Sequence, residues 1–313
     1  MSVLSRTPCN LINQGAKVND KFAQLREEVK NWPRHAVIRQ NLQCFMPDFH
    51  EEQSKYWSSM AGLNSIFSSM GIKFRTIKSI RSYPYVDSNI DIIVEKSEWV
   101  SLSNQVVQRS WRKPRFKEFL EQTLVEPYKL KYQSVLGDLA AAHFYGGVRW
   151  RYVKPFNLKG IDGDHLWHEL PEEYRRLVQS PDDGNILVPT EEFDMVIQAA
   201  HVTIENYRLT IGELFHIRDT LSKPDFNRER MEAIARTLGL DYCVAAICNI
   251  ASCYFDQRTA GPFPQKPIYI PFRVILGSHL RYGLKTGPLG LIRAMASLTW
   301  YPIMRIGRIM LGR

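Results

Sequence analysis

Acidic residues run out before the chain does. No Asp or Glu follows Asp256, while residues 257–313 carry nine Lys/Arg: Arg258, Lys266, Arg273, Arg281, Lys285, Arg293, Arg305, Arg308 and Arg313. The chain has 41 Lys/Arg against 32 Asp/Glu, so residues 1–256 balance and the last segment supplies the whole net charge of +9. Such asymmetry points to an anionic partner for that segment, and its Lys/Arg are too sparse for nucleic acid to be expected. Cysteine is scarce. Cys9, Cys44, Cys243, Cys248 and Cys253 are odd in number and form no Cys-x-x-Cys pair, which excludes a disulfide scaffold and a zinc site of that type. The last three are five apart on an expected helix, a step that keeps them off one face, and they read as small buried thiols. Long apolar runs are missing too: Pro288–Met304 comes closest to a membrane span and is broken by Arg293. Met1–Lys30 has no apolar leader, so a cytoplasmic, at most membrane-peripheral, location is expected.

The 313 residues are 44% hydrophobic and 23% charged, an ordinary globular balance. Four sections are expected. Residues 1–54 form an N-terminal extension of polar loop and short helix, with Pro8, Pro33 and Pro47 as breaks. Residues 55–164 form an α/β domain, residues 165–256 a helical domain, and residues 257–313 a basic tail entered through a Gly261–Pro267 linker.

In the second section, Trp57, Met60, Leu63 and Phe67 recur at helical spacing over Glu51–Met70, with Gly71 as a cap. Ile72–Ile77 alternates like a strand, and Asn89–Val94 is a second, β-branched one. Glu95–Gln108 reads as a helix, and Leu136–Val148 as a further apolar strand. In the third section, helices are expected from Glu191 to about Asn206, from Thr210 through Leu221, from Asp225 or Asn227 to near Gly239, and from Asp241 to about Tyr254. Thr210 and Glu213 make a capping box for the second of these.

The run that carries chemistry is Lys78-Ser79, a spacer, then Asn89-Ile90-Asp91. Transfer of a nucleotidyl group needs a turn whose N–H groups and small side chains hold phosphates. It also needs oxygen ligands on one strand face for Mg²⁺. Residues i and i+2 of a strand share a face, so Asn89 and Asp91 go together. Asp87 lies just ahead and is a further candidate metal ligand.

This pattern resembles the polymerase-beta-like nucleotidyltransferase superfamily, in an uncharacterised nucleotidyltransferase branch of it. Leu139–Trp150, with His143, is similar to a later strand of that branch, and Val188–Phe193, Ala199–His201 and Thr210–Leu221 to its helical domain. The resemblance implies a small mixed sheet followed by a helical domain, of α/β (α+β) class, in a metal-dependent nucleotidyltransferase. Asp91 would be the main Mg²⁺ ligand with Asn89 assisting, and the nucleoside triphosphate would be held by Lys78, Ser79 and His143; the acceptor is unknown. The chain departs from the pattern where Asn89 replaces the first carboxylate and Ala140–Ala142 stand where a third is expected. The alternative is therefore a catalytically degenerate scaffold or binding protein.

The remaining polar clusters read as structural. His201 and Glu205, four apart, are expected to pair on a helix. Asp162, Asp164, His165 and His168 suit a solvated turn, and Arg112–Lys117 a solvated basic face. The tail mixes aliphatics, Trp300 and Tyr301 with spaced Arg, as segments lying on an anionic membrane surface do.

Overall fold

A computed structural model describes residues 15–69, 71, 74–77, 81–83, 89–94, 111–112, 129–134, 141–145, 175–179, 185–257, 262–288, 291, 292, 295 and 298. Helix and strand are mixed, and helix predominates among these residues. Three helices come first: α1 (Gly15–Val29), α2 (Arg34–Arg39) and α3 (Phe49–Ser69). On α3, Phe49, Tyr56, Met60 and Phe67 are buried, and their spacing of seven, four and seven makes one face. Gly71 ends the helix at φ +66°, where a side chain would be strained.

The strands β1 (Phe74–Ile77), β2 (Asn89–Val94), β3 (Trp111–Arg112), β4 (Lys129–Ser134) and β5 (Ala141–Tyr145) form one sheet in the order β1-β2-β5-β4-β3. Only the β2–β5 pairing is parallel, so the sheet is mixed. A hairpin of β6 (Arg175–Gln179) and β7 (Asn185–Pro189) follows, with β7 beside β1 and α3. This hairpin lies in the stretch expected to be helical. Its Ile186-Leu187-Val188 run is too short for periodicity to separate strand from helix.

The helical core is built around α4 (Glu191–Ala200), buried along nearly its whole surface and packed on α6 (Arg228–Leu238) and α7 (Asp241–Gln257). Full burial of a side chain such as Phe193 or Ile197 stabilises by about 1.5–3 kcal/mol. The expected continuation of α4 to Asn206 changes form at His201, where a π-helical turn runs to Asn206. Thr203 donates back to the Ala199 carbonyl at 2.8 Å, and Tyr207, at φ +56°, ends the turn.

Strand β8 (Arg208–Leu209) pairs with β9 (Ile268–Tyr269). Helix α5 (Ile211–Leu221) opens on the expected capping box: Glu213 N donates to Thr210 Oγ1 at 3.1 Å, and Thr210 N to Glu213 Oε2 at 2.7 Å. Asn227 caps α6 through Arg230 N, and Gly239 ends it at φ +71°. Helix α8 (Phe272–Lys285) packs on α7.

Residues 21–49, expected to be a polar extension, are part of this core. Leu25, Val29, Val37, Leu42 and Met46 are buried in the same cluster as α4–α7, and the Phe22 ring meets Phe215 edge-on at 5.2 Å. Lys21 donates to the Phe255 carbonyl, Glu28 accepts from Phe263 N at 2.6 Å, and Gln40 donates to the Pro264 carbonyl at 2.8 Å. Charged neighbours mask the apolar stripe of α1 in the sequence, because only Phe22, Leu25 and Val29 carry it there.

Candidate functional site

Strand β2 carries Asn89 and Asp91, and the strands on either side of it fix what lies beside them. Antiparallel pairing sets Asp91 beside Ile77 of β1, and parallel pairing sets it beside His143 of β5. His143 is in turn beside Lys131 of β4. One row across the sheet therefore reads Ile77, Asp91, His143, Lys131. The next row on the same face reads Arg75, Ile93, Tyr145, Lys129. The intervening rows hold Ile90, Ala142 and Tyr132, then Thr76, Ile92, Phe144 and Leu130, apolar but for Thr76 and the Tyr132 hydroxyl. Strand alternation thus assigns apolar positions to one face and the Asp91–His143–Lys131 row to the other.

Two strand spacings, about 10 Å, separate the Asp91 and Lys131 backbones. Asn89 has Ala141 as its β5 partner, so β5 brings no carboxylate position into these rows. Of the residues singled out in the sequence, Asn89, Asp91 and His143 come together by register. Lys78, Ser79 and Asp87 lie outside the described residues, as do Asp162, Asp164, His165 and His168.

A second polar cluster lies directly after β1. Arg81 and Ser82, with Glu191 and Asp194 of α4 and His216, Thr220 and Lys223 around α5, line a small solvent-open pocket with room for about one water molecule. Ser82 N donates to His216 Nδ1 at 3.0 Å, and Ser82 Oγ lies 3.2 Å from the same nitrogen. On the far side of the ring, Nε2 is 3.2 Å from the Gln198 amide nitrogen, which donates to Asp194 Oδ2 at 2.7 Å. A neutral imidazole accepts at one nitrogen only. Ser82 N can only donate, so in the neutral ring Nδ1 accepts and the proton on Nε2 meets an amide nitrogen that is itself a donor; the 3.2 Å approach of Gln198 is then a contact between two donors. Lys223 and Glu191 form an ion pair at 2.7 Å at the pocket's edge.

The pocket and the Asp91 row are close in chain terms. Ile77 is beside Asp91, and Arg81 lines the pocket. The sequence reading missed Arg81, Ser82, His216, Thr220 and Lys223. The available signal was His216 and Thr220, four apart in a helix otherwise rich in Leu, Phe and Ile, because polar residues on a buried helix are the informative exceptions.

The other candidates are held locally. His201 Nε2 lies 2.7 Å from the Asn206 amide nitrogen, within the π turn. The cysteines of α7 fall on different faces, and only Cys243 is the buried thiol expected; Cys248 is half-buried and Cys253 exposed, because the five-residue step carries them round the helix. Burial pushes the Cys243 thiol up to about 11 and the Cys44 thiol up to about 12, so neither is an available thiolate at neutral pH. Among the described residues, no group of three His, Cys, Asp or Glu is arranged to hold a metal ion. No protein-family model matches the chain, and no curated protein matches it.

Proposed function

We propose that this chain binds a nucleoside triphosphate along the Asp91 row and transfers its nucleotidyl group to an acceptor whose identity is open. The observation that carries this reading is the strand register that sets Asp91 of β2 beside His143 of β5, with Lys131 of β4 in the same row. Lys78 and Ser79, the expected phosphate-holding residues, follow Ile77 directly in the sequence.

The residues suit one Mg²⁺ rather than two. Mg²⁺ takes oxygen ligands and keeps several waters, so one carboxylate with the phosphates of the nucleotide is an adequate set. Asp91 supplies that carboxylate and Asn89 an amide oxygen two residues away. His143 supplies nitrogen, which Mg²⁺ takes poorly. Bound with the nucleotide, the ion would supply charge neutralisation at the phosphates. Lys131 and Lys129 of β4, on the same face by register, would add positive charge where a second metal is wanting. The α/β section followed by a helical domain and a basic tail is the architecture this reading implies.

A second reading is favoured by one observation: Ala141, not an acid, stands beside Asn89. In that reading the site binds a nucleotide and transfers nothing. The test is calorimetric titration with ATP, GTP, CTP and UTP in Mg²⁺, on wild type and Asp91→Ala, together with pyrophosphate release during incubation with candidate acceptors. Mg²⁺-dependent binding lost in the variant, with pyrophosphate release, supports transfer. Binding without release supports the second reading. Absence of nucleotide binding by folded protein ends both.

A further inference from the structure

We propose that the outward side of the segment from Tyr269 to Met295 is a docking surface for an anionic lipid bilayer. This inference is independent of the nucleotide reading. Among the described residues, the exposed large apolar side chains are Ile38, Tyr269, Phe272, Leu284, Ile292 and Met295, and all but Ile38 fall in this one segment. Leu284 is 65% exposed, Ile292 55% and Met295 52%, values that a residue packed in a core never shows. Scattered exposed apolar residues need no explanation, but a concentration in one segment marks an interaction surface.

Helix α8 is what presents them. Its inner face, Ile275, Ser278, His279 and Tyr282, is buried. Gly277 lets it lie close on α7, for a Cβ there would meet the Tyr242 ring at 2.5 Å. Val274 and Leu276 are half-buried and packed against the core, while Leu280 and Leu284, four apart, run along the side away from it, the first half-buried and the second exposed. Exposed Phe272 and Arg273 sit at the start of α8, and exposed Lys285 at its end. Gly287, at φ +90°, turns the chain into the next helical residues, where Ile292 and Met295 face solvent.

Charge selects the occupant. From residue 257 onward there are nine Lys/Arg and no Asp or Glu, so an anionic surface meets no acidic residue in this segment. Of the described cations, Arg281 is engaged with Asp241 at 3.1 Å, whereas Arg273 and Lys285 are exposed beside the apolar stripe. Apolar side chains flanked by Lys/Arg are the chemistry of a surface that lies on lipid headgroups. Among the described residues no helix is long and apolar enough to cross a membrane.

The test is flotation of the full chain with vesicles of phosphatidylcholine alone and of phosphatidylcholine mixed with phosphatidylserine. Wild type should float only with the mixed vesicles, and less at raised salt. Leu284→Glu with Ile292→Glu should abolish flotation while leaving the melting temperature unchanged, because both side chains are already exposed. Lys285→Gln should weaken binding about fivefold. The proposal is overturned if wild type does not float with the mixed vesicles, or floats equally with both. It is also overturned if the double variant floats like wild type, or if that variant's only effect is to dissociate a dimer of this chain.

Discussion

Replacing Gly212 by alanine sets two opposing effects against each other. Gly212 is in the first turn of α5, where helix propensity alone favours alanine by up to about 1 kcal/mol. Its surroundings say otherwise. A Cβ there would run into the Tyr83 hydroxyl, would sit 2.5 Å from the Asn41 carbonyl oxygen, and would lie 3.0 Å from the Gln40 carbonyl oxygen. Two of these are backbone atoms, which cannot rotate away. They are also engaged: Gly212 N donates to the Gln40 carbonyl at 3.0 Å, and the Tyr83 hydroxyl to the Asn41 carbonyl at 3.1 Å.

Nearby, Ile211 N donates to Gln40 Oε1 at 2.9 Å, so moving residues 40–41 loosens a second link to α5. Overpacking of this kind costs about 1–3 kcal/mol, and each loosened hydrogen bond about 1 kcal/mol more. After the propensity gain, Gly212→Ala should destabilise by about 2 kcal/mol. Urea unfolding followed by circular dichroism should show a lower midpoint at unchanged slope. Gly62→Ala is the matched control. Gly62 is inside α3, and a methyl added there would have nothing within 4 Å, so this variant should gain up to about 1 kcal/mol. Equal or greater stability of Gly212→Ala would refute the packing argument.

Two further outcomes follow from the same core. Thr210→Ala removes the acceptor of Glu213 N and of the Asn41 amide, which reaches Thr210 Oγ1 at 3.3 Å, and should lower stability by about 1–2 kcal/mol in the same urea assay, with Thr210→Ser near wild type. Burial of His279 lowers its pKa from 6.5 to about 4, so the folded state resists the proton that the unfolded chain takes up. The stabilisation from the neutral ring is complete above about 6.5 and is lost as pH falls toward 4, by at most about 1.4 kcal/mol per pH unit. Unfolding midpoints measured across that window should fall less steeply in His279→Gln, and parallel slopes in the two proteins would show that His279 is not the titrating group.

Local signals were legible where the chemistry is local. The capping box at Thr210 and Glu213, the Asn227 cap and the Gly239 stop all lie within a few residues of what they satisfy, and the helices begin and end there. Strand Asn89–Val94 was legible because β-branched residues fill it. The candidate site was legible in pieces. Asp91 and His143 each stood out, but their pairing is a matter of register between strands 52 residues apart, which no local pattern encodes. The His216 pocket was legible only as two polar residues, His216 and Thr220, four apart on an apolar helix; that Ser82 meets His216 across 134 residues is not encoded locally. Helix α1 failed for a different reason, since its buried stripe is three residues wide in a polar sequence and tertiary contacts decide it.

The docking of residues 21–49 onto the later helices has a consequence for synthesis. Glu28 meets Phe263 across 235 residues, and Lys21 meets Phe255 across 234. At ~5–20 residues per second, roughly 10–50 s separate the emergence of α1 from that of its partners. The sheet strands are made in that interval, so they form a loop closed late by a core whose two halves arrive first and last. Throughout it, Leu25, Val29 and Leu42, buried in the finished protein, have nothing native to cover them. The nascent chain therefore carries an apolar segment that holdase chaperones can recognise, and the emergence of residues 255–263, not completion of α1 itself, sets when that segment is hidden.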